Sequence, residues 1–283
     1  MTLFRRGALW LMTVALLLAA CSAAAVSTPS VTPTTEAPVA APISTPRPMG
    51  HGPERVVHRP PLARPAEPAI AVRYDAALLA DHCVDRDVPA PLATDVALTV
   101  LDRSYALPAG YAPSDLVPAS AAGLAGSSGT KLVRSVLVDD LAAMAVAWRE
   151  AGLAVIVESA YRSYGAQAAT FNSWVSQLGH AAALVRSARP GHSEHQLGTA
   201  IDVTSAGWAG RFGDWAVESP EGAWMAANAW RYGFVMSYPS GSQDQTCFSY
   251  EPWHYRWIGR DAAAAHRSSR MHLRRYLERY VGG

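Results

Sequence analysis

The chain has 283 residues, of which half are hydrophobic, and its 24 basic and 23 acidic residues leave a formal net charge of +1. This balance gives no electrostatic reason to expect a nucleic-acid partner, because phosphate backbones are bound by an excess of clustered basic residues.

Residues 1–21 have the pattern of an export signal. Arg5 and Arg6 precede an apolar run over 8–18, which is shorter than the ~20 residues that a helix needs to span a bilayer. The segment that ends in Cys21 resembles a lipobox, in which the cysteine is lipidated and becomes the new N-terminus. The sequence therefore predicts a membrane-anchored lipoprotein outside the cytoplasm, with secretion through an ordinary signal peptide as the alternative.

Residues 22–68 are rich in Ala, Pro, Thr and Ser and poor in large apolar residues. Such a stretch cannot bury enough surface to offset the entropy of ordering it, so we interpret it as a disordered tether. The remaining residues, 69–283, are numerous enough for one domain with a sizeable core.

Two cysteines remain once Cys21 is assigned to lipid. Export implies an oxidising compartment, so a disulfide between Cys83 and Cys247 is plausible. Two unrelated buried thiols are the alternative, and spacing alone does not decide between them.

The periodicity of the domain predicts mixed helices and short strands without a regular βαβ rhythm. Val138 begins an amphipathic helix that Gly152 ends, and Ser219 followed by Pro220 is typical of a helix start. We therefore expect an α+β fold with a small, largely antiparallel sheet. The expected helices are 138–152, 164–178, 220–232 and 262–280, and the expected strands are 153–157, 198–203, 234–238 and 253–258.

Two stretches combine histidine with carboxylates. The first contains His195 and Asp202, and the second contains Glu251 and His254. Zn²⁺ binds His nitrogen and Asp oxygen at ~2.0–2.2 Å, and three protein ligands leave a position open for water, as in catalytic sites. A carboxylate that is not a ligand can then accept a proton from that water. The spacing by itself is weak evidence, since the helical HExxH motif is absent.

In both stretches, the candidate residues are spaced so that a straight strand would not place them on one face. A straight strand would put His195 and Asp202 on opposite faces, and it would do the same to Glu251 and His254. We expect Gly198 to turn the chain between the first two residues, and Pro252 to break the strand between the second two.

The motif Ser193-x-His195-x-x-Gly198-x-Ala200-x-Asp202 resembles the SxHxxGxAxD motif of the VanY-like D-alanyl-D-alanine carboxypeptidases. That family shares its fold with DD-dipeptidases and with the signalling domain of hedgehog proteins. The pairs Glu251-x-x-His254 and Tyr161-Arg162 resemble its other two motifs. All three occur in the family's order, and the resemblance covers roughly residues 95–260.

The resemblance implies a role for each matching residue. His195, Asp202 and His254 match the ligands of one zinc ion, and Glu251 matches the general base. Arg162 matches the residue that steadies the scissile carbonyl and its oxyanion. Ser193 and Gln167 match positions near the substrate, although Ser193 is also interpretable as a capping residue and Gln167 as a solvated helix residue.

The implied function is a zinc D,D-carboxypeptidase that removes the terminal D-Ala from peptidoglycan stem peptides. The protein is then expected to be a monomer that binds wall peptide in its cleft and the membrane through its anchor. Two enzymatic alternatives use the same metal chemistry: an L,D-carboxypeptidase and an endopeptidase. A non-catalytic zinc module that binds the cell wall is the alternative from another class, but it would need neither Glu251 nor Arg162.

Overall fold

A computed structural model describes residues 83–90, 92, 96–124, 129–208 and 212–280. The expected export signal, the lipidation of Cys21 and the tether at 22–68 lie outside the described residues, as does the expected domain start at 69. Among the described residues, no helix combines the length and the apolar character that crossing a membrane requires.

The strands are short. Within the described residues they are β1 (Val88–Pro89), β2 (Tyr105–Ala106), β3 (Leu116–Pro118), β4 (Leu132–Arg134), β5 (Val155–Ser159), β6 (Ala200–Ser205), β7 (Phe234–Met236) and β8 (His254–Trp257).

Four of these strands form the central sheet, in the order β5-β6-β8-β7, and every neighbouring pair in it is antiparallel. Outside it, β3 pairs antiparallel with β4, and β1 pairs parallel with β2. The α+β class with a largely antiparallel sheet is therefore confirmed.

The helices lie between and after these strands. They are α1 (Val138–Glu150), α2 (Tyr164–Leu178), α3 (His180–Arg186), α4 (Phe212–Glu218), α5 (Pro220–Asn228), α6 (Gln243–Thr246), α7 (Arg260–Ser269) and α8 (Leu273–Tyr280). The bounds of α2 are those that the sequence predicts. As expected, α5 begins after Ser219, whose hydroxyl accepts a hydrogen bond from the Gly222 amide and so caps the helix.

One face of the central sheet carries the main hydrophobic core. Ile201 and Val203 alternate along β6, and Tyr255 pairs with Ile201 across β8, so all three pack with the buried side of α1. Successive residues of a strand point to opposite faces, which sends the polar Asp202 and His254 to the other side of the sheet. The hydrophobic core therefore packs against the face of the central sheet opposite to the one that carries Asp202 and His254.

The C-terminal helix differs from the sequence prediction. The sequence predicts one helix over 262–280, whereas the structure has α7 and α8 separated at Arg270, whose φ of 57° is left-handed. The break allows Leu273 and Leu277 to pack with Val100 in a second buried cluster. Neither a glycine nor a proline marks this turn, so the local sequence gave no signal of it.

A disulfide joins Cys83 to Cys247, which are 164 residues apart in the sequence and 5.3 Å apart between Cα atoms. The bond ties the start of the described domain to the loop that follows α6. The pairing that the sequence left open is therefore present in the structure.

We predict that the double substitution Cys83→Ser and Cys247→Ser lowers the free energy of unfolding by about 2–5 kcal/mol, because the bond closes a long loop in the unfolded chain. Denaturant-induced unfolding measures the difference. Adding reductant should reproduce the loss in the natural protein and leave the variant unchanged. Equal unfolding midpoints for the oxidised protein and the variant would contradict the prediction.

Candidate metal centre and active site

The register of the central sheet brings two predicted ligands together. Asp202 of β6 lies directly opposite His254 of β8, and on its other side it faces Ser159 of β5. The Asp202 Oδ1 atom is 3.0 Å from the His254 Nδ1 atom. Backbone pairing rather than a loop therefore determines the distance between these two side chains.

His195 reaches the same point from a short 3₁₀ helix, Glu194–Leu197, that precedes β6. The helix ends at Gly198, whose φ of 74° is left-handed and lets the chain reverse into the strand. This is the turn that the sequence predicts at Gly198. As a result, the His195 Nε2 atom lies 3.2 Å from the Asp202 Oδ2 atom.

His195, Asp202 and His254 each offer one ligand atom, and these three atoms all lie within 4.8 Å of one another. The other nitrogen of His195, Nδ1, is 2.7 Å from the Ala160 carbonyl oxygen, to which it can only donate. In the neutral imidazole this leaves the Nε2 lone pair facing the cluster. Two imidazole nitrogens and one carboxylate oxygen are a donor set that Zn²⁺ takes, so the residues fit the ion.

Glu251 lies next to this cluster because the chain turns at Pro252 and Trp253. The His254 amide donates to the Glu251 carbonyl oxygen at 3.1 Å, and the Glu251 amide donates to the Tyr238 carbonyl oxygen at 3.0 Å. The turn places the Glu251 Oε2 atom 4.0 Å from the His254 Nδ1 atom. The predicted break of the strand at Pro252 is therefore present, and both side chains face one cleft.

Arg162 follows β5 and extends its guanidinium to the same cluster. Its Nη2 atom is 3.6 Å from the Asp202 Oδ2 atom and donates to the Ser159 hydroxyl at 3.1 Å. Its Nη1 atom donates to the Gln167 Oε1 atom at 2.8 Å. Two side chains thus hold the planar guanidinium in one orientation at the edge of the candidate site.

Gln167 is a buried residue of α2, with 1% of its surface exposed, so its interpretation as a solvated helix residue is wrong. Its Nε2 atom donates to the Ala188 carbonyl oxygen at 2.6 Å and to the Ser187 hydroxyl at 3.2 Å. Both atoms of the amide are used within the protein, which favours a role in orienting Arg162. Contact of Gln167 with substrate stays a prediction.

Ser193 is also buried, and it caps the 3₁₀ helix that carries His195. Its hydroxyl accepts a hydrogen bond from the His195 amide at 3.3 Å. This contact corresponds to the capping interpretation of the residue. A direct contact with substrate stays a prediction for Ser193 too.

Glu194 has no predicted role from the sequence, but the structure places its carboxylate against the Nε2 side of the His254 ring. The Glu194 Oε2 atom is 2.9 Å from the His254 Nε2 atom and accepts from the Ser237 hydroxyl at 2.6 Å. The Glu194 Oε1 atom accepts from Arg256 at 2.8 Å. A signal for this group was present, because Glu194 precedes a predicted ligand and Arg256 shares a strand face with His254.

The buried charges of the site shift one another's pKa. Burial opposes ionisation of Glu194, but the Arg256 charge and the His254 hydrogen bond lower the pKa of Glu194 to about 2. Burial raises the pKa of Glu251 to about 7. Burial also disfavours the charged form of His254, yet hydrogen bonds to Asp202 and Glu194 raise its pKa to about 10. The carboxylates of Asp202 and Glu194 therefore favour positive charge on His254, which lies between them.

Comparison with known proteins identifies related sequences. The family model VanY, described as D-alanyl-D-alanine carboxypeptidase, matches residues 130–260. YodJ of Bacillus subtilis, which is named as a carboxypeptidase, is 34% identical over 183 residues, covering 64% of this chain and 67% of that protein. A D-alanyl-D-alanine carboxypeptidase of Enterococcus faecium is 32% identical over 123 residues, which cover 44% of this chain but only 36% of the relative.

Solved structures of two wall peptidases have a similar fold. The LD-carboxypeptidase LdcB is 32% identical with a TM-score of 0.56, covering 65% of this chain and 88% of its own. The vancomycin-resistance D,D-pentapeptidase VanY, in complex with Zn(II), is 28% identical with a TM-score of 0.54, covering 64% of this chain and 98% of its own.

We predict that Gln167→Ala lowers the free energy of unfolding by at least about 1–3 kcal/mol, because it leaves buried hydrogen-bonding groups without partners. Gln177→Ala is the matched control, since Gln177 is an exposed residue of the same helix. Thermal or denaturant unfolding of both variants measures the difference. An equal, small change in the free energy of unfolding for the two substitutions would show that the hydrogen bonds of the Gln167 amide do not stabilise the fold.

Proposed function

Because this chain belongs to the VanY family of D-alanyl-D-alanine carboxypeptidases, we propose that it is a zinc-dependent D,D-carboxypeptidase. It would remove the terminal D-Ala from peptidoglycan stem peptides. The observation that carries the proposal is the convergence of His195, Asp202 and His254, with Glu251 and Arg162 beside them. A family match alone would not supply the complete set of groups that amide hydrolysis needs.

His195, Asp202 and His254 would hold one zinc ion per chain. When bound, the ion supplies a Lewis acid that activates water and polarises the peptide carbonyl. The protein supports this role by directing one lone pair of each side chain into the cluster. His195 is oriented by the Ala160 carbonyl oxygen, and Asp202 is fixed between two strands.

Glu251 would act as the general base and acid. The attacking water must lose a proton, and the leaving amine must gain one. Burial raises the pKa of the Glu251 carboxyl to about 7, whereas the charge of a bound dication acts in the opposite direction. A carboxyl whose pKa lies near neutral pH can accept the proton from water and return it to the leaving amine.

Arg162 would bind the negative charge that develops on the scissile carbonyl oxygen. Its guanidinium is oriented by Ser159 and Gln167 before substrate arrives, so little reorganisation is needed during the reaction. A fixed donor of this kind is most effective in a cleft from which water is largely excluded. The buried positions of His195 and His254 fit such a cleft.

An L,D-carboxypeptidase is the second candidate function. The observation that favours it is the similarity to LdcB, which has the higher TM-score of the two structures compared. The two activities share the metal chemistry proposed here and differ in the stereochemistry and length of the stem peptide. The same assay therefore distinguishes them.

We predict that the purified protein contains one zinc ion per chain and releases D-Ala from a pentapeptide ending in D-Ala-D-Ala. Glu251→Gln should retain zinc and lower kcat by about 10²–10⁴-fold, because a carboxamide cannot accept the proton. Glu218→Gln, at an exposed carboxylate of α4, is the control and should retain activity.

Mass spectrometry of the peptide products and metal analysis provide the measurements. Exclusive cleavage of a tetrapeptide would replace the D,D assignment by the L,D one. Zinc binding without cleavage of any stem peptide would instead support a non-catalytic module. Full activity of Glu251→Gln would contradict its role as the base.

The proposed substrate lies outside the cytoplasm, and we extend the proposal to an export signal at 1–21 and a lipid anchor on Cys21. A lipid-anchored domain on a tether over 22–68 could reach wall peptides while remaining bound to the membrane. We propose that the protein acts as a monomer, because one chain supplies the three candidate zinc ligands together with Glu251 and Arg162.

We predict that Cys21→Ala abolishes labelling of the protein with a fatty-acid analogue and moves it from the membrane fraction to the soluble or secreted fraction. The substitution should have this effect because Cys21 is the proposed site of lipidation and the lipid chains supply the membrane affinity. The double substitution Cys83→Ser and Cys247→Ser is the control, since it removes the other two cysteines without leaving an unpaired thiol and should leave labelling unchanged. Membrane retention of Cys21→Ala would contradict the anchor.

A further inference from the structure

A buried carboxylate lies behind one of the proposed zinc ligands. Only 5% of the surface of Glu194 is exposed, and both its carboxylate oxygens are engaged by protein groups. We propose that Glu194 is a positioning residue that holds the His254 ring in one orientation and one tautomer and thereby increases the affinity of the site for zinc. The inference rests on the proposed function, because it requires His254 to be a ligand.

The two nitrogens of His254 have different surroundings. Nδ1 faces Asp202 and Glu251 at 3.0 and 4.0 Å, whereas Nε2 is 2.9 Å from the Glu194 Oε2 atom. A neutral imidazole carries its proton on one nitrogen and its lone pair on the other. An ionised carboxylate can only accept a hydrogen bond, and both Asp202 and Glu194 are carboxylates. With zinc bound, Asp202 would be a ligand and would direct its oxygen to the ion, so Glu194 would be the acceptor that keeps the proton of the neutral ring on Nε2. The lone pair of Nδ1 is then available to a metal ion at the centre of the cluster.

Glu194 is in turn held by Arg256. This arginine lies on β8, two residues after His254 and on the same face of the strand. Its side chain is fully buried, and its Nη2 atom donates to the carbonyl oxygens of Ala97 and Thr99 at 2.7 and 2.5 Å. A buried carboxylate without a partner would be costly, so Arg256 keeps Glu194 charged and fixed in place.

The two histidines of the site therefore differ in what orients them. His195 donates to the Ala160 carbonyl oxygen, a neutral acceptor, whereas His254 donates to a charged one. A carboxylate partner raises the basicity of the ligating nitrogen more than a carbonyl does, and losing such a partner typically lowers metal affinity by 10–100-fold. Glu194 should therefore matter to zinc affinity although it is not a ligand.

The test is the zinc dissociation constant of Glu194→Gln, measured by competition with a chromophoric chelator. The carboxamide keeps the shape of the side chain but removes its charge, so we expect zinc to bind about 10–100-fold more weakly than to the natural protein. Gln196→Leu is the matched control. Gln196 is a buried residue of the same 3₁₀ helix, and its amide donates to the carbonyl oxygens of Pro108 and Tyr111 rather than to a ligand.

Gln196→Leu should lower stability without changing zinc affinity more than about twofold, because it leaves both histidines and their partners in place. Equal zinc affinity of Glu194→Gln and the natural protein would overturn the inference, as would an equal loss in both variants. If the natural protein itself binds no zinc, the proposed function fails instead, so the two failures are distinguishable.

A second measurement needs no variant and decides the question if Glu194→Gln does not fold. ¹⁵N NMR of histidine in the natural zinc-loaded protein reports which nitrogen of His254 carries the proton. We expect a protonated Nε2 and a ligating Nδ1. A protonated Nδ1 would overturn the inference, because Glu194 would then face a nitrogen that has no proton to donate.

Discussion

The candidate site depends on the antiparallel pairing of β6 with β8, which sets Asp202 directly opposite His254. Facing residues of an antiparallel pair hold their Cβ atoms ~4.5–5.5 Å apart, close enough for both side chains to reach one small ion. A slip of the register by one residue would turn Asp202 toward the hydrophobic core. The apolar residues Ile201 and Val203 resist that slip, since they would move into the polar cleft.

Two local reversals of the chain bring His195 and Glu251 to the pair that Asp202 and His254 form. Gly198 adopts a left-handed conformation that brings His195 close to the start of β6. The turn at Pro252 brings Glu251 next to His254. Both reversals lie just before an inner strand of the central sheet begins, one before β6 and the other before β8. The site thus combines a rigid pair on strands with two groups carried by short turns.

Buried charge is the second constraint on this site. Asp202 and Glu194 lie on either side of the His254 ring, and Arg162 and Arg256 each lie beside one of these carboxylates. Hydrogen bonds to both carboxylates overcome the effect of burial and raise the pKa of His254 to about 10. A proton and a metal ion would compete for the Nδ1 lone pair of His254, because both bind through that electron pair.

The sequence by itself determined the residues that share one motif or one short turn. His195, Asp202, Glu251, His254 and Arg162 are predicted because they match three short motifs that resemble those of one family, and such motifs are local properties of the chain. The bounds of α2 are likewise predicted from the local sequence. Only the tertiary structure decided that Glu194 supports His254, that Gln167 is buried against Arg162, and that the C-terminal helix breaks at Arg270. These features arise from contacts across the fold: 62 residues separate Glu194 from Arg256, and α8 turns back to reach Val100. Local propensity does not predict such contacts. The free energy that favours them comes from burial and charge pairing, which exist only once the chain is folded.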